Sequence, residues 1–227
     1  MSDPLLYTPH GCVLYLDLRK PDSGYLRDYS GHGNHGIIHG ARLEQRHPLW
    51  GLSFDGVDDY VEVPAMNIDA KSITVIALAR SATPVWNTNG WIASSRGASG
   101  FIIHPRENLK AWTGYVINDA GYYYKIGEHT PEDIRRFHMY CITFDHDTKV
   151  ARMYFDGVIV AENVINITRG VWNHHTLIGK DDYPDRYGHG HILLIQIYNR
   201  ALTAEEIKRC FESIQQRILR RVVGHVL

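Results

Sequence analysis

The sequence predicts an all-β fold, a two-sheet antiparallel sandwich with a C-terminal α-helix. Two segments carry most of this prediction, RDYSGHGNHG at residues 27–36 and GLSFDGVDDYVEVP at residues 51–64. The glycines of the first segment allow backbone angles that other residues avoid, and Asp28 and Ser30 can hydrogen-bond within their own turn, which predicts a tight loop after a strand. In the second segment, alternating residues precede and follow a turn, which predicts a β-hairpin.

Alternation of apolar and polar residues predicts short strands along almost the whole chain. These strands lie at residues 12–18, 35–38, 51–54, 60–63, 72–80, 90–94, 101–104, 109–115, 122–126, 136–144, 151–155, 158–162, 176–178 and 191–198. Turn residues separate them and no helical crossover intervenes, as in an antiparallel sandwich. The residues expected in or near the core are Leu52, Phe54, Val61, Ile142, Phe144, Tyr154, Phe155 and Ile197.

A helix is predicted at the C-terminus. Thr203 and Glu206 form a capping box, and apolar residues then recur at intervals of three and four. These apolar residues are Ile207, Cys210, Phe211, Ile214, Ile218 and Val222. We expect residues 1–207 to form the sandwich and residues 208–227 to be a helical extension of the same domain.

The apolar face of this helix has two possible partners. It can pack on its own sandwich, or it can dock onto a neighbouring subunit and so build a homo-oligomer or a lattice. The residues predicted to mediate assembly are Ile214, Arg217, Ile218 and Val222.

Composition excludes several classes of partner. The chain has 24 Lys and Arg against 25 Asp and Glu, so no overall charge attracts nucleic acid or an anionic membrane. No run of about 18 apolar residues predicts a membrane span. The N-terminus lacks the pattern of a secretion signal, so we expect synthesis in the cytosol and three free cysteines at Cys12, Cys141 and Cys210.

Three later stretches extend the pattern of the first two segments. They are residues 137–162, TLIGKDD at residues 176–182 and IQIYNRALTAEEI at residues 195–207. In this order, the five segments resemble the laminin-G-like branch of the concanavalin A-like lectin/glucanase superfamily. The resemblance implies a jelly-roll sandwich that works in binding or adhesion, with glycoside hydrolases as a minority of members.

The expected function follows from combining this resemblance with the missing signal. A non-enzymatic binding module that is made in the cytosol and works outside the cell suits the exterior or decorating layer of a virus particle, such as a phage. A carbohydrate-binding lectin module of a bacterial protein is the alternative, and a glycoside hydrolase is the third. The expected partner is a glycan or a protein surface.

Calcium is the cofactor that the resemblance raises. Many relatives hold a structural calcium ion through the Asp of a D-x-S-G turn and an acidic pair on the last long strand. Asp28 matches the first ligand and Asn34 lies close to it, but Leu193 and Leu194 replace the acidic pair. Because calcium needs several oxygen ligands, we expect no cofactor and interpret Asp28 as the cap of its own turn.

Other chemistry has weaker support in the sequence. Residues 180–191 hold three aspartates and two histidines, without the fixed spacing of a transition-metal site, so we interpret them as a polar loop. The paired carboxylates of glucanases, E-x-D-x-x-E, are absent, and so are G-x-S-x-G and H-E-x-x-H. Aromatic side chains in loops can stack on sugar rings, and the candidate ligand-binding residues are Trp172, Tyr183 and Tyr187.

Overall fold

A computed structural model describes residues 6–46 and 49–219. The strands are β1 (Cys12–Asp22), β2 (Tyr25–Asp28), β3 (Gly36–His39), β4 (Arg42–Arg46), β5 (Leu49–Asp55), β6 (Tyr60–Val63), β7 (Ile68–Asp69), β8 (Ile73–Ser81), β9 (Ala93–Ser95), β10 (Phe101–Pro105), β11 (Trp112–Ile117), β12 (Tyr123–His129), β13 (His138–Phe144), β14 (Val150–Phe155), β15 (Val158–Val164), β16 (Val171–Trp172), β17 (Thr176–Ile178) and β18 (His189–Tyr198). Helix α1 (Ala204–Ile214) follows and continues into a π-helical turn, Gln215–Leu219.

The strands form two antiparallel layers of a jelly-roll-like sandwich. The layer we call the front sheet has the order β12-β11-β10-β9-β17-β6-β3-β2, and the back sheet has the order β1-β18-β8-β13-β14-β15. The two layers are joined at one edge, where β2 pairs with β1. Strand β5 extends the back sheet by pairing with β18, and β4 pairs with β5. The layers meet face to face, since a side chain in place of Gly114 on β11 would lie 2.7 Å from Ile142 on β13. The predicted all-β class is therefore confirmed.

The core lies between these layers and is rich in aromatic rings. Trp86, Trp112 and Tyr140 are fully buried there, and Tyr140 contacts both tryptophan rings edge to face. All the predicted core residues except Phe155 are buried, and the half-buried Phe155 packs against the same cluster. Its neighbour Tyr154 points to the opposite face of the back sheet, as alternation along a strand requires.

The predicted hairpin at residues 51–64 is wrong. Strand β5 pairs with strands of the back sheet, whereas β6 pairs with β3 and β17 of the front sheet. The turn between them redirects the chain, because Asp59 accepts a hydrogen bond from the Asp55 N–H and Asp55 accepts one from the Val57 N–H. Alternation and turn residues indicated two strands here, but they could not indicate two different sheets.

The outer face of the back sheet is covered by α1 and by the chain near Leu6. Ile207, Cys210 and Ile214 pack with Leu6 on the apolar residues of this face. The residues they cover are Tyr15, Ile76, Leu78, Met139, Cys141, Tyr154, Leu193, Leu194 and Tyr198. The Tyr7 N–H also donates to Ser213 Oγ, which joins the N-terminal segment to the helix.

This packing contradicts the assembly role predicted for Ile214. Ile214 is only 1% exposed because it contacts its own sandwich, so it is not available to a neighbouring subunit. Arg217 is half-buried, whereas the Ile218 side chain and Val222 lie outside the part that the structure describes. Helix α1 runs through residues 207 and 208, the place expected to divide the sandwich from its extension.

Candidate binding site

The outer face of the front sheet carries polar and aromatic side chains. On β10, Phe101 and Ile103 enter the core, so Ile102 and His104 point outward. Tyr115 on β11 lies opposite Ile102, and Tyr123 on the edge strand β12 belongs to the same face. Three adjacent strands thus present one surface that α1 does not cover.

The loop between β17 and β18 closes one side of this surface. It folds back on itself through hydrogen bonds from the Asp181 N–H to the Arg186 carbonyl and from the Gly188 N–H to the Gly179 carbonyl. Gly179 has a φ of +85°, and a side chain there would collide with the ring of Phe54. The loop is therefore anchored where it leaves β17, and it carries Tyr183 toward the front sheet.

A cavity of about 300 Å³ lies between this loop and the sheet. We call it the Arg–Tyr pocket. Its lining residues are Arg96, Ile102, His104, Tyr115, Tyr123, Tyr183 and Arg186.

The charge of the Arg–Tyr pocket is set by a buried carboxylate beneath it. Asp181 is fully buried and accepts hydrogen bonds from Nε and Nη2 of Arg96, the latter over 2.6 Å. Arg186 Nη1 donates to the same carboxylate over 3.0 Å. Two cations share one anion, so the group retains a net positive charge on its solvent side.

His104 adds no charge to the pocket near neutral pH. Burial and, as a smaller contribution, the neighbouring Arg96 cation lower the pKa of its imidazole to about 4. The ring packs edge to face against Tyr115 with 5.5 Å between centroids. His104 is therefore a neutral polar wall, and the two arginines provide the cationic character.

The tyrosine rings are held by these arginines. Cζ of Arg96 lies 4.6 Å from the centroid of the Tyr183 ring, and Cζ of Arg186 lies 4.5 Å from it. Arg96 also lies over Tyr123, at 5.4 Å. Tyr183 is 48% exposed and Tyr123 43% exposed, so both rings remain accessible while their positions are restricted.

The three predicted ligand-binding residues have different environments. Tyr183 lines the Arg–Tyr pocket, whereas the half-buried Tyr187 lies outside it, with Lys180 4.9 Å from its ring. Trp172 is fully buried, so its prediction as an exposed residue is wrong. Its indole donates to Ser95 Oγ and packs edge to face on Phe101, because β16 holds the ring inside the sandwich.

Sequence reasoning missed both arginines of the pocket and Asp181 as their partner. Arg96 and Asp181 are 85 positions apart, and no local pattern links them. Alternation along β11 and β12 could have placed Tyr115 and Tyr123 on one face, if the pairing of these strands had been known. That inference required the strand order, which the sequence pattern did not supply.

The candidate metal residues near the N-terminus do not fit the calcium ion that the family resemblance implies. The Asp28 carboxylate accepts hydrogen bonds from the N–H groups of Tyr15, Ser30 and Asn34 and from Ser30 Oγ. Asn34 Nδ2 donates to the Val13 carbonyl. Leu193 and Leu194 are buried among apolar residues under α1. This donor set holds the turn together and lacks a second carboxylate for calcium.

A second cavity, of about 410 Å³, is acidic. Its lining residues are Gly40, Arg42, Glu44, Ser53, Asp55, Asp58 and Asp59. Burial raises the pKa of Asp59, and both Asp55 and Asp59 accept backbone hydrogen bonds within the turn that separates β5 from β6. Asp55 and Asp59 therefore stabilise the turn through which the chain passes from one layer to the other.

Fold and site together define a β-sandwich with a solvent-facing pocket on one sheet. A family model for the concanavalin A-like lectin/glucanases superfamily, the laminin G type, matches residues 55–208. The chain belongs to this family. Among curated protein sequences, none matches the chain. Within the described residues, no helix is long and apolar enough to cross a membrane.

Solved structures with the same fold include toxin binding domains. The botulinum neurotoxin serotype D binding domain matches with a TM-score of 0.70 and 16% identity, over 89% of this chain and 51% of that one. The binding domain of Paraclostridial Mosquitocidal Protein 1 matches with a TM-score of 0.70 and 15% identity, over 89% and 52%. The botulinum neurotoxin DC binding domain in complex with SialylT has a TM-score of 0.71 and 17% identity, over 90% and 51%. The chain thus spans about half the length of these structures, and the likeness concerns the fold.

Proposed function

We propose that this protein is a non-enzymatic binding module that recognises an anionic glycan in the Arg–Tyr pocket. The observation that carries the proposal is the pair of guanidinium groups on one buried carboxylate, beneath two exposed tyrosine rings. The site occupies the outer face of the front sheet, which α1 leaves open.

The tyrosines suit a sugar. Sugar rings present apolar C–H faces, and aromatic rings with a polar hydroxyl bind such faces while donating hydrogen bonds at their edge. Tyr123 and Tyr183 are both exposed and both contact Arg96, and a cavity of about 300 Å³ has the size of a small-ligand site. One or two sugar units fill that space.

The arginines suit a carboxylate or sulfate group on the sugar. Asp181 occupies two N–H groups of Arg96 and one of Arg186, and each guanidinium has further donors in a planar fork. Since Asp181 also restrains both side chains, little conformational entropy is lost when an anion binds. A neutral sugar gains only the stacking part of this interaction.

The lining of the pocket supports binding without hydrolysis. None of its lining residues, all of them within the described part of the chain, has a carboxyl group. Glycosidases that retain or invert configuration use two carboxyl groups beside the scissile bond. The Asp181 carboxylate below the pocket is already engaged by two arginines.

A glycan array followed by calorimetry tests the proposal. We expect sialylated, uronic-acid or sulfated glycans to bind and their neutral counterparts to bind more weakly. Tyr183→Ala and Arg186→Met should each reduce affinity at least about tenfold, because each removes an interaction worth about 1.4 kcal/mol or more. Binding should weaken with added salt, because an ion pair contributes to it.

Tyr122→Ala is the matched control for the tyrosine variant. Tyr122 is 67% exposed and lies outside the pocket, so its removal should leave affinity unchanged. Equal binding by the Tyr183→Ala and Tyr122→Ala variants would move the glycan site elsewhere. Binding confined to a protein ligand would favour the protein-surface partner, as in the botulinum neurotoxin DC binding domain of this fold in complex with rat synaptotagmin II.

The kind of assembly in which the module works, a virus particle or a bacterial protein, is a separate proposal. An exterior or decorating role on a virus particle agrees with a binding face on one side of the sandwich, and a lectin module of a bacterial protein is the alternative. Burial of Ile214 against its own sandwich takes away one residue that supported lattice contacts. Electron microscopy of the assembled protein tests the setting: a repeated lattice is expected for a particle protein, and isolated monomers at high concentration would contradict it.

A further inference from the structure

Two histidines and an aspartate meet beside the Arg–Tyr pocket. His174 and His175 precede β17, and Asp182 follows it. Each of the three residues offers one ligand atom, and these atoms all lie within 4.8 Å of one another. His175 Nε2 is 2.6 Å from Asp182 Oδ1, and the imidazole rings of the two histidines have centroids 4.2 Å apart.

We propose that His174, His175 and Asp182 bind a divalent transition-metal ion, with Zn²⁺ as the expected ion. Two imidazole nitrogens and one carboxylate oxygen form a ligand set that zinc accepts, with a fourth position left for water or another ligand. Calcium and magnesium prefer sets made of oxygen, so two imidazoles select against them.

Neighbouring groups orient two of these ligands, as the outer partners of metal ligands do. His174 Nδ1 lies 3.3 Å from the His175 carbonyl, which favours a proton on Nδ1 and leaves Nε2 for a metal. Asp182 Oδ2 accepts a hydrogen bond from the Arg96 N–H over 3.1 Å, so Oδ1 is the oxygen that faces His175. His174 and Asp182 thus each have an outer partner, and His175 Nε2 lies against the free oxygen of Asp182.

Gly97 makes room for the first histidine. A Cβ atom at position 97 would lie 2.4 Å from His174 Cβ and 2.5 Å from its Cγ, closer than packed atoms approach. The backbone that follows Arg96 is therefore pressed against His174, while the Arg96 N–H holds Asp182. Metal binding would connect the two histidines to the loop that carries Tyr183.

Calorimetric titration with zinc chloride tests the site on the whole protein, without any glycan. We expect one equivalent to bind, and Co²⁺ in its place to give the visible absorption of a four-coordinate ion. His174→Ala and His175→Ala should each weaken binding at least about tenfold. His32→Ala, at an exposed histidine far along the chain from the cluster, is the matched control and should bind as the unmodified protein does.

Other outcomes overturn the proposal. Absence of zinc binding, undiminished binding in both histidine variants, or a preference for Ca²⁺ would each exclude this site. Circular dichroism checks that the variants fold. If an alanine variant does not fold, Asp182→Asn keeps the size of the side chain and removes the anionic ligand, so unchanged zinc binding in that variant also excludes the site.

Discussion

One outer face of the sandwich is covered by α1, and the other is open to solvent. On the back sheet, residues such as Leu78, Cys141 and Leu194 point outward and are buried under α1. On the front sheet, the equivalent outward positions hold His104, Tyr115 and Tyr123 beside two arginines. Both faces arise from the same alternation along strands, so the difference lies in which residue types occupy the outward positions.

The covered face therefore contributes to stability, and the open face is available for recognition. Apolar outward residues require a cover, and α1 provides it as part of the same chain. Polar and aromatic outward residues tolerate water and can exchange it for a ligand, provided that their positions are restricted. The ion pairs of Asp181 supply that restriction on the front sheet, and variants on the two faces can test whether the division is this sharp.

The largest expected effect comes from the covered face. Ile207→Ala removes a fully buried side chain from the contact between α1 and the back sheet and should lower the free energy of unfolding by about 2–5 kcal/mol. Ile37→Ala on the outer face of the front sheet is the matched control; Ile37 is 47% exposed, and the expected change is within about 0.5 kcal/mol. Urea unfolding measures both, and equal losses would show that the two faces do not differ in this way.

A smaller effect is expected below the open face. Asp181→Asn leaves two guanidinium groups beside each other without their anion, which should cost about 1–2 kcal/mol of unfolding free energy. The Arg186 side chain is 32% exposed, so solvent limits the cost. Added sulfate should restore part of the stability by occupying the place between the arginines. Asp185→Asn, at an exposed position of the same loop, should change little; similar losses in both variants would argue against a special role for Asp181.

The smallest effect concerns the start of α1. The Glu206 carboxylate accepts hydrogen bonds from Arg200 and, with a smaller effect, from the Thr203 N–H, which lowers its pKa from the usual 4.5 to about 2. Because the unfolded chain binds this proton more readily, the stabilisation is complete above pH 4.5 and disappears as the pH falls toward 2. Glu206→Gln should cost about 1 kcal/mol at neutral pH, given solvent screening of the pair.

Thermal unfolding between pH 2 and pH 7 checks the prediction for Glu206. The variant should lose less stability than the unmodified protein as the pH falls through this window. Glu205→Gln alters an exposed neighbour and should retain the original pH profile. A Glu206→Gln profile that matches the original would mean that the pair with Arg200 does not hold α1 on the covered face.

Strand positions could be predicted wherever alternation was strong. The predicted ranges 60–63 and 176–178 agree with Tyr60–Val63 and Thr176–Ile178. The missed strands, such as Arg42–Arg46 with its sequence RLEQR, are short or polar, and their strand geometry comes from pairing with a neighbour. Pairing with distant strands also explains why the hairpin predicted at residues 51–64 is wrong. The sequence pattern does not show that β5 pairs with β18 and β6 with β3.

The candidate site was only partly predictable. Tyr183 was predicted as a candidate ligand-binding residue because it lies in a loop, and it lines the Arg–Tyr pocket. Trp172 looked similar, but Phe101 on β10 and Ser95 on β9, which are distant in the chain, contact its buried ring. The arginines of the pocket had no local signal, since charged residues are common on any protein surface.

The sequence by itself determined the class of fold, because period-two alternation and turn residues act between near neighbours in the chain. It also determined the start of α1, since the capping box of Thr203 and Glu206 lies within four residues. Only the tertiary structure decided which outer face is covered and that Asp181 gathers Arg96 and Arg186 beside Tyr183. Those contacts join segments that are far apart in the chain, so they contribute to stability only when the whole sandwich has formed.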